Sequence, residues 1–345
     1  MLRSAWHVST KGAGVTGMLT IYSVRNGGLT VEEADPAGPL PANAVWIDLF
    51  APSAEEEQAV EREVGIDIPT REELAEIEAS SRLYQEDGAT FMTATLLRRG
   101  DDGRAEAQPV TFILKDRWFV TVRYSEPRAF PLFARRAQKP GSCPSTAEGI
   151  LMNLLEAVVD RAADHLESVA LVIDKTSHEV FHADASKRPR RRDFQELLRR
   201  IGEEGDFNSK LRESLVSLLR LAAFLSSVLD SSTSKRSPRE VKAHIKTLQR
   251  DIQSLTDHST FISGKINFLL DAILGMISIE QNAIIKIFSV AAVVFLPPTL
   301  IASIYGMNFR FMPELGWPYG YPFALGLMVL SALVPVLYFR RKGWL

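Results

Sequence analysis

The sequence has a single cysteine, Cys143, among 345 residues. One cysteine forms neither an intramolecular disulfide nor a cysteine metal site, so nothing indicates an oxidising compartment. With 42 acidic and 40 basic side chains there is no basic excess, and we expect no nucleic-acid partner. Residues 1–17 contain no apolar run of about seven or more residues, so they predict a flexible N-terminal extension rather than a signal peptide.

Charged residues are also absent from two stretches near the C-terminus, 287–305 and 323–339, of 19 and 17 residues. A bilayer core needs about 20 apolar residues, with about 17 as the lower limit, so both stretches predict transmembrane helices. Aromatic residues gather between and after the stretches, as they do at membrane interfaces, and the positive-inside rule puts both termini in the cytoplasm. The predicted segments are the helices 284–305 and 322–339, the outer loop 306–321 and the basic cytoplasmic tail 340–345.

The first part of the chain, residues 18–140, predicts an α/β cytoplasmic domain. Two capping boxes, Ser53 to Glu56 and Thr70 to Glu73, predict short helices. A tight hairpin is expected at Asp116. Runs rich in β-branched and aromatic residues predict strands at 19–24, 44–50, 90–97, 110–115 and 117–123.

Strand signals end near residue 145, and residues 145–283 predict a stalk of long helices. Apolar residues recur at helical spacing in 147–183 and in 193–231. A third pattern starts after Pro238 and meets no breaker before Pro297, which predicts a helix roughly 85 Å long at ~1.5 Å per residue. Its C-terminal third is the first apolar stretch, so a stalk that continues into the membrane is the simplest interpretation.

Two spans in one chain cannot enclose a pore, so conduction would need several copies that each contribute one helix. The first span extends the stalk and carries small and polar residues, which makes it the candidate for the helix that lines the pore. Residues three or four positions apart lie near one face of a helix. Counting back from Asn308 in such steps gives a stripe along the first span, which consists of Ile301 or Thr299, then Leu296, Ala292, Phe288, Ile285 and Asn282. Neither span contains a carboxylate, so we expect no tight coordination of a bare divalent ion within the membrane.

The residues around Asn308 resemble the signature of the CorA family of divalent-cation channels. The matching run is Tyr305-Gly306-Met307-Asn308-Phe309, followed by Met312-Pro313-Glu314-Leu315, and its place between two C-terminal spans makes the resemblance specific. Met307 favours the magnesium branch over the related zinc-transporting ZntB group, which usually has Gly-Val-Asn. Further similar segments are 280–282, 295–299, 320–322 and 338–345, and less closely 45–49, 69–71 and 251–252.

The resemblance implies an α+β cytoplasmic domain followed by long stalk helices and two C-terminal transmembrane helices, assembled as a funnel-shaped homopentamer. It implies a transporter and not an enzyme, which admits Mg²⁺, and also Co²⁺ and Ni²⁺, through the plasma (inner) membrane. Cytoplasmic Mg²⁺, bound between subunits, would hold the pore closed. Gly306, Met307 and Asn308 would form the selectivity filter, with Asn308 ringing the outer mouth.

Physical chemistry agrees with these roles. An amide oxygen can hold hydrated Mg²⁺ through its water shell, because this ion loses water reluctantly. Gly306 would allow a backbone conformation that a Cβ forbids, where the helix must stop. Phe288 and Leu296 could close the pore by dewetting. A divalent ion entering a cell at about −100 mV gains roughly 4.6 kcal/mol, so the membrane potential suffices as a driving force.

Three carboxylates are further candidate cation ligands. A ring of Asp271 just inside the membrane would concentrate cations, although an ordinary charged stalk face explains this residue equally well. Asp87 and Asp251 could belong to the Mg²⁺ sensor between subunits.

Two motifs fit no transport role. His178-Glu179-Val180-Phe181-His182 matches the H-E-x-x-H pattern of zinc proteases, but no third ligand stands at a suitable spacing, and we interpret it as helix surface. The basic run 187–192 is interpreted as a solvated loop. Two alternative functions stay open: a zinc transporter of the same architecture, and a membrane-anchored coiled-coil adaptor without conduction, which leaves 305–309 unexplained.

Overall fold

The structure is a computed structural model that describes residues 18–33, 38, 40–76, 78–100, 105–142, 144–181, 191–231, 239–308, 310 and 312–344. The expected extension 1–17 lies outside the described residues. The described residues fall into two compact units, the first within 1–187 and 197–267 and the second within 188–196 and 268–345.

The described strands are β1 Met18–Arg25, β2 Gly28–Glu33, β3 Ala44–Phe50, β4 Leu83–Glu86, β5 Ala89–Arg99, β6 Ala105–Lys115 and β7 Trp118–Arg123. The described helices are α1 Ala54–Val64, α2 Arg71–Leu74, α3 Ala79–Arg82, α4 Ala129–Ala137, α5 Ala147–Phe181, α6 Arg191–Ser231, α7 Arg239–Tyr305 and α8 Gly320–Arg341, with a 3₁₀ turn at Pro313–Gly316.

Within the first unit, the seven described strands form one sheet in the order β2-β1-β3-β7-β6-β5-β4. Their pairings are antiparallel except for that of β3 with β7, in which Asp48 lies beside Thr121. All six residues of β7 are buried, as expected for a strand covered on both faces. With the long helices that follow, the predicted α+β organisation is confirmed.

The five predicted strands are present, and the capping boxes at Ser53 and Thr70 both form. The hairpin at Asp116 is also present, with Asp116 at a φ of 50°. The prediction missed β2, β4, α3 and α4. Both missed strands begin or end at a two-residue turn with positive φ, Asn26–Gly27 for β2 and Asp87–Gly88 for β4.

The two faces of the sheet are packed differently. On one face, α1 and α2 contribute Val60 and Leu74 to a core that includes Ile47. On the other face, Trp46 is fully buried, stacks on Tyr22 at 3.9 Å between ring centroids and lies close to two phenylalanines of α4. Burial of these aromatic rings removes a large apolar area from water and stabilises the unit.

A buried ion pair joins β3 to β7 next to Trp46. The Nε of Arg123 donates to Asp48 Oδ1 at 3.0 Å, and its Nη2 donates to Oδ2 at 2.8 Å. The hydroxyl of Thr121 donates to the same carboxylate at 2.7 Å. Burial by itself lowers the pKa of Arg123, but the charge and hydrogen bonds of Asp48 outweigh that effect and raise it.

The long helices pack on the sheet and on each other through polar as well as apolar contacts. Ser214 Oγ of α6 donates to the Thr95 carbonyl at 2.7 Å, and Ser217 Oγ accepts from the Thr95 N–H at 2.7 Å. Between α6 and α7, Asn208 Nδ2 donates to the Ser259 carbonyl at 3.0 Å and to Ser263 Oγ at 2.9 Å. These bonds satisfy buried polar groups and fix the register of the helices.

Helix α7 is 67 residues long and continues through Pro297 and Pro298 to Tyr305. A proline has no N–H, so the carbonyls of Val293 and Val294, four residues earlier, lose their usual α-helical donors. The adjacent prolines therefore leave two backbone acceptors without helical partners inside the apolar stretch.

Among the described residues, three helical segments are long and apolar enough to cross a membrane, where the sequence predicted two: Phe194–Ser231, Glu240–Tyr305 and Gly320–Arg341. The most apolar part of the first segment is 39% buried within the protein, against 6% and 11% for the other two. The apolar face of α6 is explained by burial within the first unit, whereas α7 and α8 expose their apolar side chains.

Candidate functional site

The candidate site begins where α7 ends. The N–H of Gly306 still donates to the Ala302 carbonyl at 2.9 Å, whereas that of Met307 donates to Ile304 at 3.3 Å, which tightens the last turn. Gly306 is not among the glycines with positive φ, so the expectation that it supplies a conformation closed to other residues is wrong. A Cβ at this position would lie 3.1 Å from the Ala302 carbonyl oxygen, so a larger residue would require a small shift of that carbonyl.

Asn308 follows directly and is exposed. Within the part of the chain that the structure describes, its side-chain amide has no hydrogen-bond partner. An exposed amide offers a carbonyl oxygen, which can accept hydrogen bonds from the water molecules that surround a cation. Phe309, the last residue of the signature, lies outside the described residues.

The predicted stripe is exposed along α7. The exposed fractions are 60% for Ile285, 72% for Phe288 and 66% for Leu296, and Asn282 and Thr299 are also exposed. At ~100° per residue, these five residues and Ala292 lie within an arc of about 120°. Ile301, the alternative to Thr299, lies about 140° from Leu296 and therefore off this face.

The hydroxyl of Thr299 has a defined role in the helix. Its Oγ1 donates to the Phe295 carbonyl at 2.7 Å, one turn earlier. The donor is thereby used, and the lone pairs of the oxygen are left facing outward from the helix. At this level the stripe presents an acceptor oxygen and no fixed charge.

The comparisons with known proteins bear on this geometry. A family model described as "CorA-like Mg2+ transporter protein" matches residues 41–341. The chain belongs to the CorA family. The "Magnesium transport protein CorA" of Escherichia coli (strain K12) is 37% identical over 328 residues, which cover 95% of this chain and 100% of that protein. The protein of the same description from Yersinia pseudotuberculosis is 36% identical over the same coverage. The resemblance to the magnesium branch of CorA is thereby confirmed.

Solved structures agree with the fold. The complete CorA magnesium transporter from Methanocaldococcus jannaschii aligns with a TM-score of 0.72 at 18% identity, over 96% of this chain and 100% of that chain. The full-length CmaX protein aligns with a TM-score of 0.69 at 17% identity, over 97% and 100%. The ZntB cytoplasmic domain from Vibrio parahaemolyticus aligns with a TM-score of 0.56 over 76% of this chain and 99% of that domain, at 10% identity. At these identities the likeness shows the fold alone.

The three carboxylates proposed as further cation ligands of this CorA chain are all exposed. Asp87 occupies the turn between β4 and β5 at a φ of 47°, a conformation that Asp tolerates well, so the turn alone explains it. Asp251 and Asp271 lie on α7. Across the described residues, no three His, Cys, Asp or Glu side chains are grouped closely enough to hold a metal ion.

The two motifs outside the CorA signature acquire partial explanations. Glu179, at the centre of the H-E-x-x-H match, accepts from Arg200 Nη1 at 3.1 Å and so belongs to a contact between α5 and α6. His182 lies outside the described residues, as do residues 187–190 of the basic run. The last two residues of that run, Arg191 and Arg192, begin α6, so the prediction of a loop is wrong for them.

The C-terminal tail packs against the start of the apolar stretch of α7. Trp344 stacks on Phe339 at 5.3 Å between ring centroids, and the ammonium of Lys286 lies 5.7 Å from the centroid of the Trp344 ring. The contact between them forms one aromatic and basic cluster at one end of the two apolar helices.

Proposed function

We propose that the chain is a channel that carries Mg²⁺ into the cell across the plasma (inner) membrane. The observation that carries the proposal is the exposed, mainly apolar stripe on α7, which ends at the exposed amide of Asn308. The function of a membrane-anchored adaptor does not require such a stripe followed by an unpaired amide, whereas a conducting pore does. The arrangement therefore favours conduction.

The membrane arrangement proposed is the two-span one. The segments 284–305 and 322–339 cross the bilayer, the loop 306–321 faces outward, and both termini are cytoplasmic. The burial of the apolar face of α6 within the first unit supports excluding it as a third span. The Lys286–Trp344 cluster supports a cytoplasmic interface at that end, because basic and aromatic residues collect there.

We infer a homopentamer that surrounds one pore, with α7 from each copy lining it. Along the path, Asn282, Ile285, Phe288, Leu296 and Thr299 face the axis, and Gly306, Met307 and Asn308 form the filter at the outer mouth. Because every lining group is neutral, a divalent ion passes with its water shell and is held only through it. Rings of Phe288 and Leu296 exclude water and close the pore.

We propose that the channel also carries Co²⁺ and Ni²⁺. A filter that contacts only the hydration shell discriminates weakly between ions of equal charge. The membrane potential drives entry. Cytoplasmic Mg²⁺ closes the pore by binding between copies, with Asp87 and Asp251 as candidate ligands, because Mg²⁺ binds carboxylate oxygens. A ring of Asp271 just inside the membrane concentrates cations. The zinc transporter of the same architecture is not favoured, because the curated relatives at 36–37% identity are described as magnesium transport proteins.

The experiment is Mg²⁺ influx into vesicles that contain the purified protein. Replacing Asn308 by Ala should abolish most of the flux, because symmetry removes every amide of the ring at once. Assembly should be retained, since no hydrogen bond within the described chain is lost. Asn308→Asp should bind cations more tightly and slow their passage. Asn267→Ala, an exposed amide on α7 far from the filter, is the matched control. Parental flux in Asn308→Ala with unchanged elution on size exclusion would contradict the filter assignment.

A further inference from the structure

A cleft in the first unit has no place in the transport proposal. It lies between α6 and the edge of the sheet formed by β4 and β5, and its volume is about 440 Å³. This volume falls within the range of roughly 300–1,000 Å³ that is usual for small-ligand sites. Three arginines, Arg82, Arg212 and Arg220, line it together with a single carboxylate, Glu213.

Two of the three guanidinium groups are unpaired. Throughout the described part of the chain, neither Arg212 nor Arg220 has a hydrogen bond or an ion pair. They stand eight residues apart on α6, which places them about 80° apart around the helix and about 12 Å apart along it, and both line the cleft. Many other arginines of this unit are paired, for example Arg123 with Asp48 and Arg200 with Glu179. Two free cations that line one cleft leave it with an excess of positive charge.

The third guanidinium is held in place. Arg82 Nε donates to the Glu76 carbonyl at 2.5 Å, and its Nη1 donates to Thr95 Oγ1 at 3.1 Å. Thr95 is buried, and its backbone N–H donates to Ser217 Oγ at 2.7 Å. The hydrogens of the Thr95 and Ser217 hydroxyls are not engaged by these bonds, so both can donate to a ligand.

Three of the ten residues that line the cleft are positively charged hydrogen-bond donors, against one carboxylate, and the rest are apolar or hydroxyl-bearing. Such a set matches an oxyanion with several oxygens, because guanidinium groups bind phosphate through paired N–H donors. A carboxylate has only two oxygens and would leave some of the three guanidiniums unused. The net charge of the lining also fits a dianion better than a monoanion.

We propose that this cleft binds a small phosphate-bearing anion from solution, with Arg212 and Arg220 as the main ligands and Arg82, Thr95 and Ser217 as fixed donors. The site does not depend on the transport proposal, since none of its residues belongs to the stripe or to the filter. Each added phosphate group should strengthen binding, because it can reach a further guanidinium.

The test is isothermal titration of the full-length protein in detergent with chelator present, so that Mg²⁺ complexes do not form. The probes are inorganic phosphate, pyrophosphate and ATP, with acetate as a carboxylate comparison. We expect phosphate and its larger relatives to bind, acetate to bind at least about ten times more weakly, and Arg212→Ala and Arg220→Ala each to weaken binding about tenfold or more. Arg199→Ala, an exposed arginine on the same helix outside the cleft, is the matched control and should leave binding unchanged.

Three results would overturn the proposal. Absence of heat with all three phosphate probes would exclude the site. Equal weakening by Arg199→Ala would assign the binding to general surface charge. An altered elution position of Arg212→Ala or Arg220→Ala, with anion binding unchanged, would show that these arginines belong to a contact between copies of the chain.

Discussion

The buried pair of Asp48 and Arg123 allows a quantitative prediction about what holds the sheet together. Their side chains are only 3% and 5% exposed, and the guanidinium engages both carboxylate oxygens. Arg123 Nη1 also donates to the Ser125 carbonyl at 3.0 Å. Replacing Arg123 by Met leaves the carboxylate buried, with the Thr121 hydroxyl as its one remaining side-chain partner among the described residues. Removing one partner of such a pair costs about 3–5 kcal/mol.

The assay must report on this unit within the full-length protein, so we choose amide hydrogen exchange of β3 and β7 followed by mass spectrometry. A loss of about 3–5 kcal/mol corresponds to exchange faster by about two to four powers of ten, provided that these amides exchange by opening of the unit. Glu203→Ala, which removes an exposed ion pair with Arg199, is the control. It should change exchange by less than about tenfold, since exposed pairs contribute about 0–1 kcal/mol.

A double variant tests the reasoning more strictly. Asp48→Leu combined with Arg123→Met removes both charges, so no uncompensated charge is left buried. The double variant should therefore lose less stability than the two single changes summed. Two results would contradict this reasoning. One is a loss of stability in the double variant equal to the sum of the two single losses, and the other is an amide exchange rate in Arg123→Met within tenfold of that of the parent.

Three further predictions concern the pore, its regulation and the pH response. Phe288→Ser or Leu296→Ser should raise Mg²⁺ leak in vesicles under closing conditions, because every copy loses the same apolar group; unchanged leak in both would remove the dewetting assignment. Millimolar Mg²⁺ should slow limited proteolysis of the first unit relative to chelator, and identical cleavage would count against closure by cytoplasmic Mg²⁺. Burial, and next the charge of Asp48, raise the pKa of Tyr22, so the folded chain keeps this phenol neutral where the unfolded chain ionises. The free energy of unfolding should accordingly fall by up to ~1.4 kcal/mol per pH unit above about pH 10. In hydrogen-exchange or denaturant experiments, the Tyr22→Phe variant should lose less stability than the parent over that range.

Much of the fold could be predicted from local patterns, and the omissions have physical causes. Strands β1, β3, β5, β6 and β7 are rich in β-branched and aromatic residues, whereas the edge strands β2 and β4 are short and partly polar. The sequence pattern that indicates these two strands lies in the adjacent turns, because Asn26-Gly27 and Asp87-Gly88 are residue pairs that favour a tight hairpin. Helix α4 was missed because Pro131 interrupts its apolar pattern, although proline is tolerated in the first turn of a helix.

The candidate site was predictable to a different extent. The signature around Asn308 is contiguous in sequence, and the stripe follows from helical spacing, so both could be identified without coordinates. The choice of Thr299 over Ile301 needed the uninterrupted helix through Pro297, which the prolines obscured. The cleft of Arg82, Arg212 and Arg220 could not be predicted, because it joins residues about 130 positions apart through the packing of α6 on the sheet edge.

The paired prolines of α7 have a mechanical consequence. Bending a helix ordinarily stretches or breaks hydrogen bonds on its convex side. At Val293 and Val294 those bonds are already missing, so the 67-residue rod is most compliant there, between the levels of Phe288 and Leu296. In the proposed channel, bending at this point would tilt the ring of Phe288 relative to the ring of Leu296. A long helix with one compliant point near its end would then transmit a small displacement of the proposed stalk to the proposed pore.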